Sequence, residues 1–508
     1  MLEKISPIVF IDFYKADHRR QYPDGTEVVY SNFTPRMSRV PNVDSVVVFG
    51  LQYFIKEYLI DKFNKQFFEL PKDVVLNAYK RRMDTSLGPN DIGIEHIEAL
   101  HDLGYLPLSI KALPEGTLCN IKIPCYTFKN TKKEFFWLTN YIESIFSAVG
   151  WKPMTSATTA YYYRKRFNEH CYKTGYDNGF VQWQGHDFSF RGMSGLEDAV
   201  LSASGHLLSF TGTDTVPALD FLELFYGADA DKELIGGSVP ATEHSVCSSN
   251  IENYMDVIRK ELIKTINLTE NEIREEAEAR FIKKLITELY PNGIVSIVSD
   301  TFDFWYVVTK IVPRFKNVIM SRDGRVVIRP DSGDPVKIIC GDPDSNIEHI
   351  RKGAYECLWD TFGGKVNSKG YRELDGHIGL IYGDSITRDR QDQILDILEA
   401  KGFSASNLVL GIGSYTYEYV TRDTYGFAMK ATYCEVNGES RNIFKNPKTD
   451  KGFKKSAKGL LCVNNDGTLS DECTLEEEQT GKLIEVFRDG KLLVETTLGE
   501  IRNNLWGN

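Results

Sequence analysis

The chain has no run of about 18–20 uninterrupted apolar residues, the length a helix needs to cross a bilayer, so no membrane span is expected. Its first ten residues, 1–10, lack the apolar stretch and small-residue cleavage site of a secretory leader, and the expected compartment is the cytoplasm. No two cysteines stand in a CxxC pair, and the nine present are scattered and odd in number. A disulfide framework or zinc site is therefore not expected, and reduced thiols are. Positive charge is also in short supply: 60 Lys and Arg face 71 Asp and Glu, a formal net charge of −11. That balance excludes a nucleic-acid partner held by bulk electrostatics, so cations meeting an anionic ligand must be focused locally. Internal repeats and low-complexity tracts are lacking too.

What is present is length enough for two or three domains. Over the first ~150 residues strand-like and helical runs are mixed. Residues 43–54 read as a strand passing through Gly50 into a helix, and 106–128 as a β-rich stretch turning at Pro114-Glu115-Gly116. Residues 133–166 read as helical with a break at Lys152-Pro153. From about residue 180 short strands alternate with helices. Strands are expected at 180–190, 294–299, 326–329, 379–382 and 408–412, with helices at 194–208, 243–264, 303–313 and 388–401. Such alternation predicts parallel strands with helical crossovers, hence an α/β barrel or open sheet. The charged stretch 267–288 reads as a solvated helical insertion, and strand-like runs return after Arg422 at 428–436, 482–487 and 491–496.

The late strands are most informative where they end. Val327-Ile328-Arg329 runs into Pro330-Asp331-Ser332-Gly333, Leu380-Ile381-Tyr382 into Gly383-Asp384-Ser385, and Leu408-Val409-Leu410 into Gly411-Ile412-Gly413-Ser414. One such turn is a plain strand–helix connection. Three in succession point to the C-terminal face of a barrel, where late strands hold phosphate on backbone N–H groups. Asp331 and Asp384 add carboxylates able to bind hydroxyls or Mg²⁺ beside that phosphate.

These residues match a family. In order along nearly the whole chain stand Asp12-Phe13-Tyr14-Lys15, Gln21-Tyr22-Pro23, Gly50-Leu51-Gln52-Tyr53, His186-Asp187-Phe188 with Arg191-Gly192, Gly212-Thr213-Asp214-Thr215, 238–245 from Ser238 to Ser245, Val298-Ser299-Asp300, 329–333, Gly383-Asp384 and Thr421-Arg422-Asp423. With them the chain resembles the type II nicotinate/nicotinamide phosphoribosyltransferases. The resemblance implies an irregular α/β barrel over residues 180–424. A β-rich α+β domain would be assembled from residues 1–179 and 425–508. It implies transfer of phosphoribosyl from phosphoribosyl pyrophosphate to nicotinamide in NAD salvage, with Mg²⁺. It also implies ATP hydrolysis coupled through a phosphohistidine, and a homodimer with shared active sites.

By the same resemblance Phe188 and the partner's copy of Tyr14 would sandwich the pyridine, although either residue type alone suits a core as well. Asp214 would accept from the –NH₂ of an amide and repel the carboxylate of nicotinate; taken locally it is equally a helix N-cap. Ser238 and Asp12 belong to the same substrate-binding set. Arg191 and Arg329, the latter ahead of Pro330, would grip phosphate oxygens through the guanidinium fork. Asp331 would meet the ribose, and Gly383, Asp384, Gly413 and Ser414 would cradle the 5′-phosphate. Arg36, Arg422, Lys430 and Lys445 would supply further cations. Lys451, Lys454, Lys455 and Lys458 form a basic loop that suits either solvent or a polyphosphate. His244, opening a helix, would carry the phosphoryl group, oriented by Glu243 or Asp300. His186 reads as structural, and the residue types name no metal ligands.

Two departures from the family pattern stand out. The run Gly413-Ser414-Tyr415-Thr416-Tyr417 replaces a glycine-rich stretch, and Gly379 stands where an arginine is common. Nicotinate phosphoribosyltransferase is the nearest alternative. A non-catalytic interaction protein on the same fold would be expected to have lost these charged residues.

Overall fold

The strands that end in polar turns lie side by side. A computed structural model describes residues 4–262, 268–383, 385–447, 449 and 456–507. Six parallel strands, β1 (Gly185–Phe188), β2 (Gly212–Thr213), β3 (Gly293–Val298), β4 (Gly324–Arg329), β5 (Ile378–Tyr382) and β6 (Leu408–Gly413), form a curled sheet in the order β2-β1-β6-β5-β4-β3. Each late strand is a short run of Val, Ile and Leu because side chains on both faces are covered, as parallel strands under helices require. The two edges of this sheet are joined by a segment that is itself no strand. Gly237 exchanges backbone hydrogen bonds with Thr211 and Thr213 beside β2, and Pro240 and Thr242 bond Ser296 of β3. The segment thus acts as a seventh stave and closes the barrel.

The second half is a seven-stranded antiparallel sheet built from both ends of the chain. Its order is Glu439–Asn442, Phe427–Val436, Thr26–Pro35, Tyr126–Asn130, Leu108–Ala112, Ile484–Arg488 and Lys491–Leu492. Three strands from the N-terminal region lie in the middle and C-terminal strands flank them on both sides. Phe33 and Phe427 stack across the join with ring centroids 5.2 Å apart, and Phe146 meets Phe33 edge-on at 4.8 Å.

Five helices matter for the site: α1 (Glu143–Thr174), α2 (Leu196–His206), α3 (Pro217–Tyr226), α4 (His244–Leu262) and α5 (Glu270–Lys284). Helix α1 is continuous through Pro153, so the expected break is absent. The proline ring fills a slot that exists only because Gly50, at φ +97°, carries no Cβ; tertiary packing offsets the lost hydrogen bond. Helices α2 and α3 bury Leu201, Leu207, Ala218 and Leu222 in the core of the antiparallel half and so tie the two halves together.

The stretch expected to be a solvated insertion is not one. Helix α5 starts at a Thr269–Glu272 capping box and buries Ile273, Ala277, Phe281 and Ile282 against α4 and the barrel core. Apart from the buried Glu278, its charges lie towards the other face, where Arg280 pairs with Glu261 and Glu276. The strand expected over 180–190 shrinks to β1, preceded by a helical turn at Asn178–Trp183, and that expected over 491–496 shrinks to Lys491–Leu492. Among the described residues no helix is long and apolar enough to cross a membrane.

Candidate active site

The C-terminal ends of β1, β2 and β4 meet at one mouth of a cavity of about 670 Å³, where Phe188, Asp214, Ser238 and Arg329 face one another. The cavity continues through the barrel to Arg325 and His377 at the opposite strand ends.

Asp214 is held from two sides. His186 Nε2 lies 2.9 Å from its Oδ1, and Ser238 Oγ donates to the same oxygen at 2.7 Å. Partial burial works to raise this carboxyl, but the hydrogen bonds from His186 and Ser238 and the nearby Arg329 charge outweigh it and hold it below the usual carboxylate range. Oδ2 accepts no hydrogen bond among the described residues and stays available to a ligand. The capping alternative fails, because α3 begins at Pro217 with Val216 at the cap. His186, read as structural though placed beside Phe188, has its ring against Asp214 and 4.4 Å, centroid to centroid, from Phe188, so it lies at the cavity mouth as well as in the framework.

Behind this pair sits Asp187, which stands in the His186-Asp187-Phe188 motif but has no role assigned from sequence. Fully buried on β1, it accepts four hydrogen bonds. They come from Ser189 N (3.0 Å) and Ser189 Oγ (2.6 Å), and from Thr213 Oγ1 and Thr215 Oγ1 (2.7 Å each). Its main-chain carbonyl accepts from Asp214 N at 3.0 Å. One buried carboxylate therefore clamps both residues flanking Asp214. The available signal was an acid inside an otherwise buried strand, a position that needs partners.

Phe188 is seated over Gly411 of β6, where an added Cβ would come within 2.7 Å of the ring. Arg329 donates from Nη2 to Thr242 O at 2.7 Å, keeps Nε 3.7 Å from Asp331 Oδ1, and lies 6.0 Å from the Phe188 ring centroid. The following turn is set by Asp300, whose Oδ2 accepts from Asp331 N (2.9 Å) and Ser332 Oγ (2.6 Å). Its other oxygen, Oδ1, is 3.7 Å from His244 Nε2, and Asp331 Oδ2 lies 3.8 Å from the same nitrogen. His244 is the first residue of α4 and half exposed. Glu243 turns away to accept from Ser245 Oγ. Asp300 and Asp331, not Glu243, are the acids facing the histidine.

Gly383 packs against Asp331 so closely that a Cβ would collide with its carboxylate. Asp384 lies outside the described residues. Gly413 ends β6 and Ser414 opens a short helix, Ser414–Glu418; Ser414 Oγ fills the space beside Gly192, which brings that turn next to Arg191. The exposed Arg191 makes no ion pair or hydrogen bond among the described residues. The arginine missing at Gly379 is matched by Arg325 of β4, whose Cδ would be 3.1 Å from a Cβ placed there and whose Nε donates to Gly376 O at 2.9 Å.

The remaining predicted residues gather elsewhere, on the antiparallel half. Asp12 accepts from Ser144 Oγ and lies 3.5 Å from Tyr14 OH, and Tyr14 is exposed. Lys15 pairs with Glu143, whose other oxygen is 3.6 Å from Lys430 Nζ. Arg36 and Lys430 line one pocket of about 310 Å³ with Lys122. Arg422 pairs with Asp423, and the exposed Lys445 is tied through its main chain to Ser456. Lys451, Lys454 and Lys455 lie outside the described residues, while Lys458 pairs with Glu472. Among the described residues of one chain, this cluster makes no hydrogen bond or ion pair with Asp214 and no ring contact with Phe188.

Comparison with known proteins agrees with this geometry. Residues 183–491 match the nicotinate phosphoribosyltransferase (NAPRTase) family, and residues 7–110 match the nicotinamide phosphoribosyltransferase N-terminal domain. The nicotinamide phosphoribosyltransferase of Acinetobacter baylyi is 52% identical over 518 residues, covering 99% of this chain and 97% of that one. That of Xanthomonas campestris is 30% identical, covering 97% and 96%. Among solved structures, human nicotinic acid phosphoribosyltransferase shares the fold at a TM-score of 0.52 and 15% identity, covering 97% of this chain and 92% of that one. A Pyrococcus furiosus nicotinate-nucleotide pyrophosphorylase does so at 0.53 and 12%, covering 99% and 95%.

Proposed function

The chain belongs to the nicotinate phosphoribosyltransferase family, and we propose that it transfers the phosphoribosyl group of 5-phosphoribosyl 1-pyrophosphate to nicotinamide, releasing nicotinamide mononucleotide and pyrophosphate in NAD salvage. The observation that carries the choice of base is Asp214. Its Oδ1 is fixed by His186 and Ser238 while Oδ2 accepts no hydrogen bond among the described residues, and the residue lines the cavity, so Oδ2 would serve as the charged acceptor. A carboxylate in that role suits the –NH₂ of an amide and repels an acid. The 52% identity to a protein named for this activity supports the same reading.

In the reaction the pyridine nitrogen attacks C1′ as the C1′–oxygen bond breaks, and the electron pair leaves with pyrophosphate. Phe188 would hold the ring flat, and Asp331 would steady the developing ribosyl cation. Arg191, Gly383, Gly413 and Ser414 would receive the 5′-phosphate. Among the described residues no three His, Cys, Asp or Glu side chains converge as a metal cage. Asp300 and Asp331 instead fit a Mg²⁺ that arrives on the substrate's phosphates, which typically takes one or two carboxylates. When bound, it would neutralise charge on the leaving pyrophosphate.

We assign Asp12, Tyr14, Arg36, Arg422, Lys430 and Lys445 to the active site of a second copy. Asp12 and Arg422 lie near the exposed Tyr14, Lys430 reaches the same Glu143, and among the described residues none of the six makes a hydrogen bond or ion pair with its own chain's Asp214, so a homodimer would complete each site. We further place the enzyme in the cytoplasm, acting on small molecules; its nine cysteines are all unpaired thiols, eight of them buried.

The test offers phosphoribosyl pyrophosphate with nicotinamide or with nicotinate and identifies the product by mass spectrometry. Mononucleotide from nicotinamide is expected, and product from nicotinate alone would sink the assignment. For the coupling, His244→Ala should keep a slow basal reaction and lose stimulation by ATP, since the phosphoryl acceptor at the start of α4 is gone. Full stimulation in that variant removes the phosphohistidine.

A further inference from the structure

Helix α1 buries a lysine among apolar residues. Lys152 is 4% exposed, and its ammonium uses all three donors. It donates to Tyr417 O at 2.7 Å, to Glu418 Oε2 at 3.3 Å and pairs with Asp198 Oδ1 at 2.9 Å. The partners lie on two different elements, Asp198 in the first turn of α2 and Tyr417 and Glu418 in the short helix Ser414–Glu418. Asp198 Oδ2 accepts from Ser194 N (3.1 Å) and Ser194 Oγ (3.0 Å), which fixes the turn running back to Arg191 and Gly192. Tyr417 and Glu418 end the short helix opened by Ser414, whose hydroxyl fills the space at Gly192. Tyr417 OH also meets His206 Nδ1 at 2.7 Å, and His206 Nε2 meets Gly212 O at 3.1 Å. A carbonyl only accepts, so the imidazole proton is on Nε2 and Tyr417 donates to Nδ1. The polar chain from Lys152 therefore ends two residues before Asp214.

Burying an ammonium with two carboxylates costs desolvation that an apolar side chain would avoid, so such a network is not explained by stability alone. We propose that Lys152 is a positioning residue that locks the Arg191-Gly192 turn against the Gly413-Ser414 turn so that both close on one phosphate. This rests on the functional reading above. Lys152 touches no substrate in it; its effect passes through Asp198 and Tyr417.

The experiment compares wild type with Lys152→Met and with the charge-free triple variant Lys152→Met/Asp198→Asn/Glu418→Gln. Steady-state kinetics are run with each substrate varied separately, and thermal unfolding with and without inorganic phosphate. In Lys152→Met the KM for phosphoribosyl pyrophosphate should rise about tenfold, the effect of a small misplacement of binding groups. The KM for nicotinamide should stay within about twofold, and stabilisation by inorganic phosphate should shrink. Lowering the pH should restore part of the loss in this variant, because a proton shared between Asp198 and Glu418 re-joins the two turns. The triple variant, with no unpaired buried charge, should unfold near the wild-type temperature yet keep the raised KM. It carries the test if the single variant does not fold. A KM for phosphoribosyl pyrophosphate within about twofold of wild type, or an equal rise in both KM values, overturns the proposal. Wild type that forms no mononucleotide would refute the functional reading, whereas stabilisation by inorganic phosphate lost only in the variants would still uphold the role of Lys152.

Discussion

Two buried acids, one in each half of the molecule, show how differently a carboxyl can be treated. At the barrel, Asp187 is enclosed and accepts four donors, and the neighbouring Asp214 is held below its usual range. In the antiparallel half Glu115 is equally enclosed. Its Oε1 accepts from Gln52 N at 2.8 Å, but its Oε2 accepts no well-formed hydrogen bond among the described residues, and burial pushes the carboxyl up to about 7. The difference lies in the donors: hydrogen bonds from His186 and Ser238 hold the Asp214 carboxyl down, whereas burial with few donors pushes the Glu115 carboxyl up. Charge is maintained where a ligand is to be recognised.

The sharpest way to break this comparison is at Asp214. Asp214→Ser removes the charged acceptor and leaves His186 without its partner. It should lower kcat/KM for nicotinamide by about 10²–10³ and narrow the preference over nicotinate, because a site built to hydrogen-bond one group is left unpaired. Unchanged selectivity between the two bases would count against the amide assignment.

The next effect is one of stability and concerns Glu115. Its pKa is raised in the folded state, so between about 4.5 and 7 the folded chain binds more protons than the unfolded one. Stability from this group is therefore greatest below pH 4.5 and is lost as pH rises towards 7. Glu115→Gln should then stabilise the protein at pH 8 by at most on the order of 3 kcal/mol, each tenfold change in proton affinity counting for about 1.4 kcal/mol, and by little at pH 4.5. Denaturant unfolding at the two pH values measures this, and an equal effect at both would refute the neutral carboxyl.

Smallest is Asp187→Asn. The amide has to turn a donor towards hydroxyls that donate now, and the Thr213–Thr215 turn loosens. A rise of about tenfold in the KM for nicotinamide is expected, the cost of one misplaced hydrogen bond to a charged group. An unchanged KM would mean that Asp214 needs no clamp.

Much of this was legible in the sequence, for reasons that also mark its limits. The strands β3 to β6 announce themselves as apolar runs ending in Gly, Asp and Ser, and His244 was expected at a helix start and found there. What escaped depends on contacts between distant residues. Nothing local in His186 says that its ring reaches a carboxylate 28 positions away. Pro153 signals a break unless Gly50 is known to face it. The charged stretch 267–288 hides apolar positions at helical spacing, among them Ile273, Ala277, Phe281 and Ile282, that matter only once α4 lies alongside. The guanidinium absent at Gly379 sits one strand over, on Arg325, because adjacent parallel strands can exchange a side chain's space.

The antiparallel sheet has a consequence for how the protein is made. Its three central strands, ending at Asn130, leave the ribosome early, while the strands that cover both their edges begin at Phe427 and Ile484. During most of translation Thr26–Pro35 and Leu108–Ala112 therefore present open edges, and Phe33 waits for Phe427. The barrel strands are complete in the nascent chain before either edge is covered. A polypeptide cut short between residues 413 and 427 thus carries every barrel strand together with two exposed strand edges, and for this chain premature termination there is a route to aggregation as much as to lost activity.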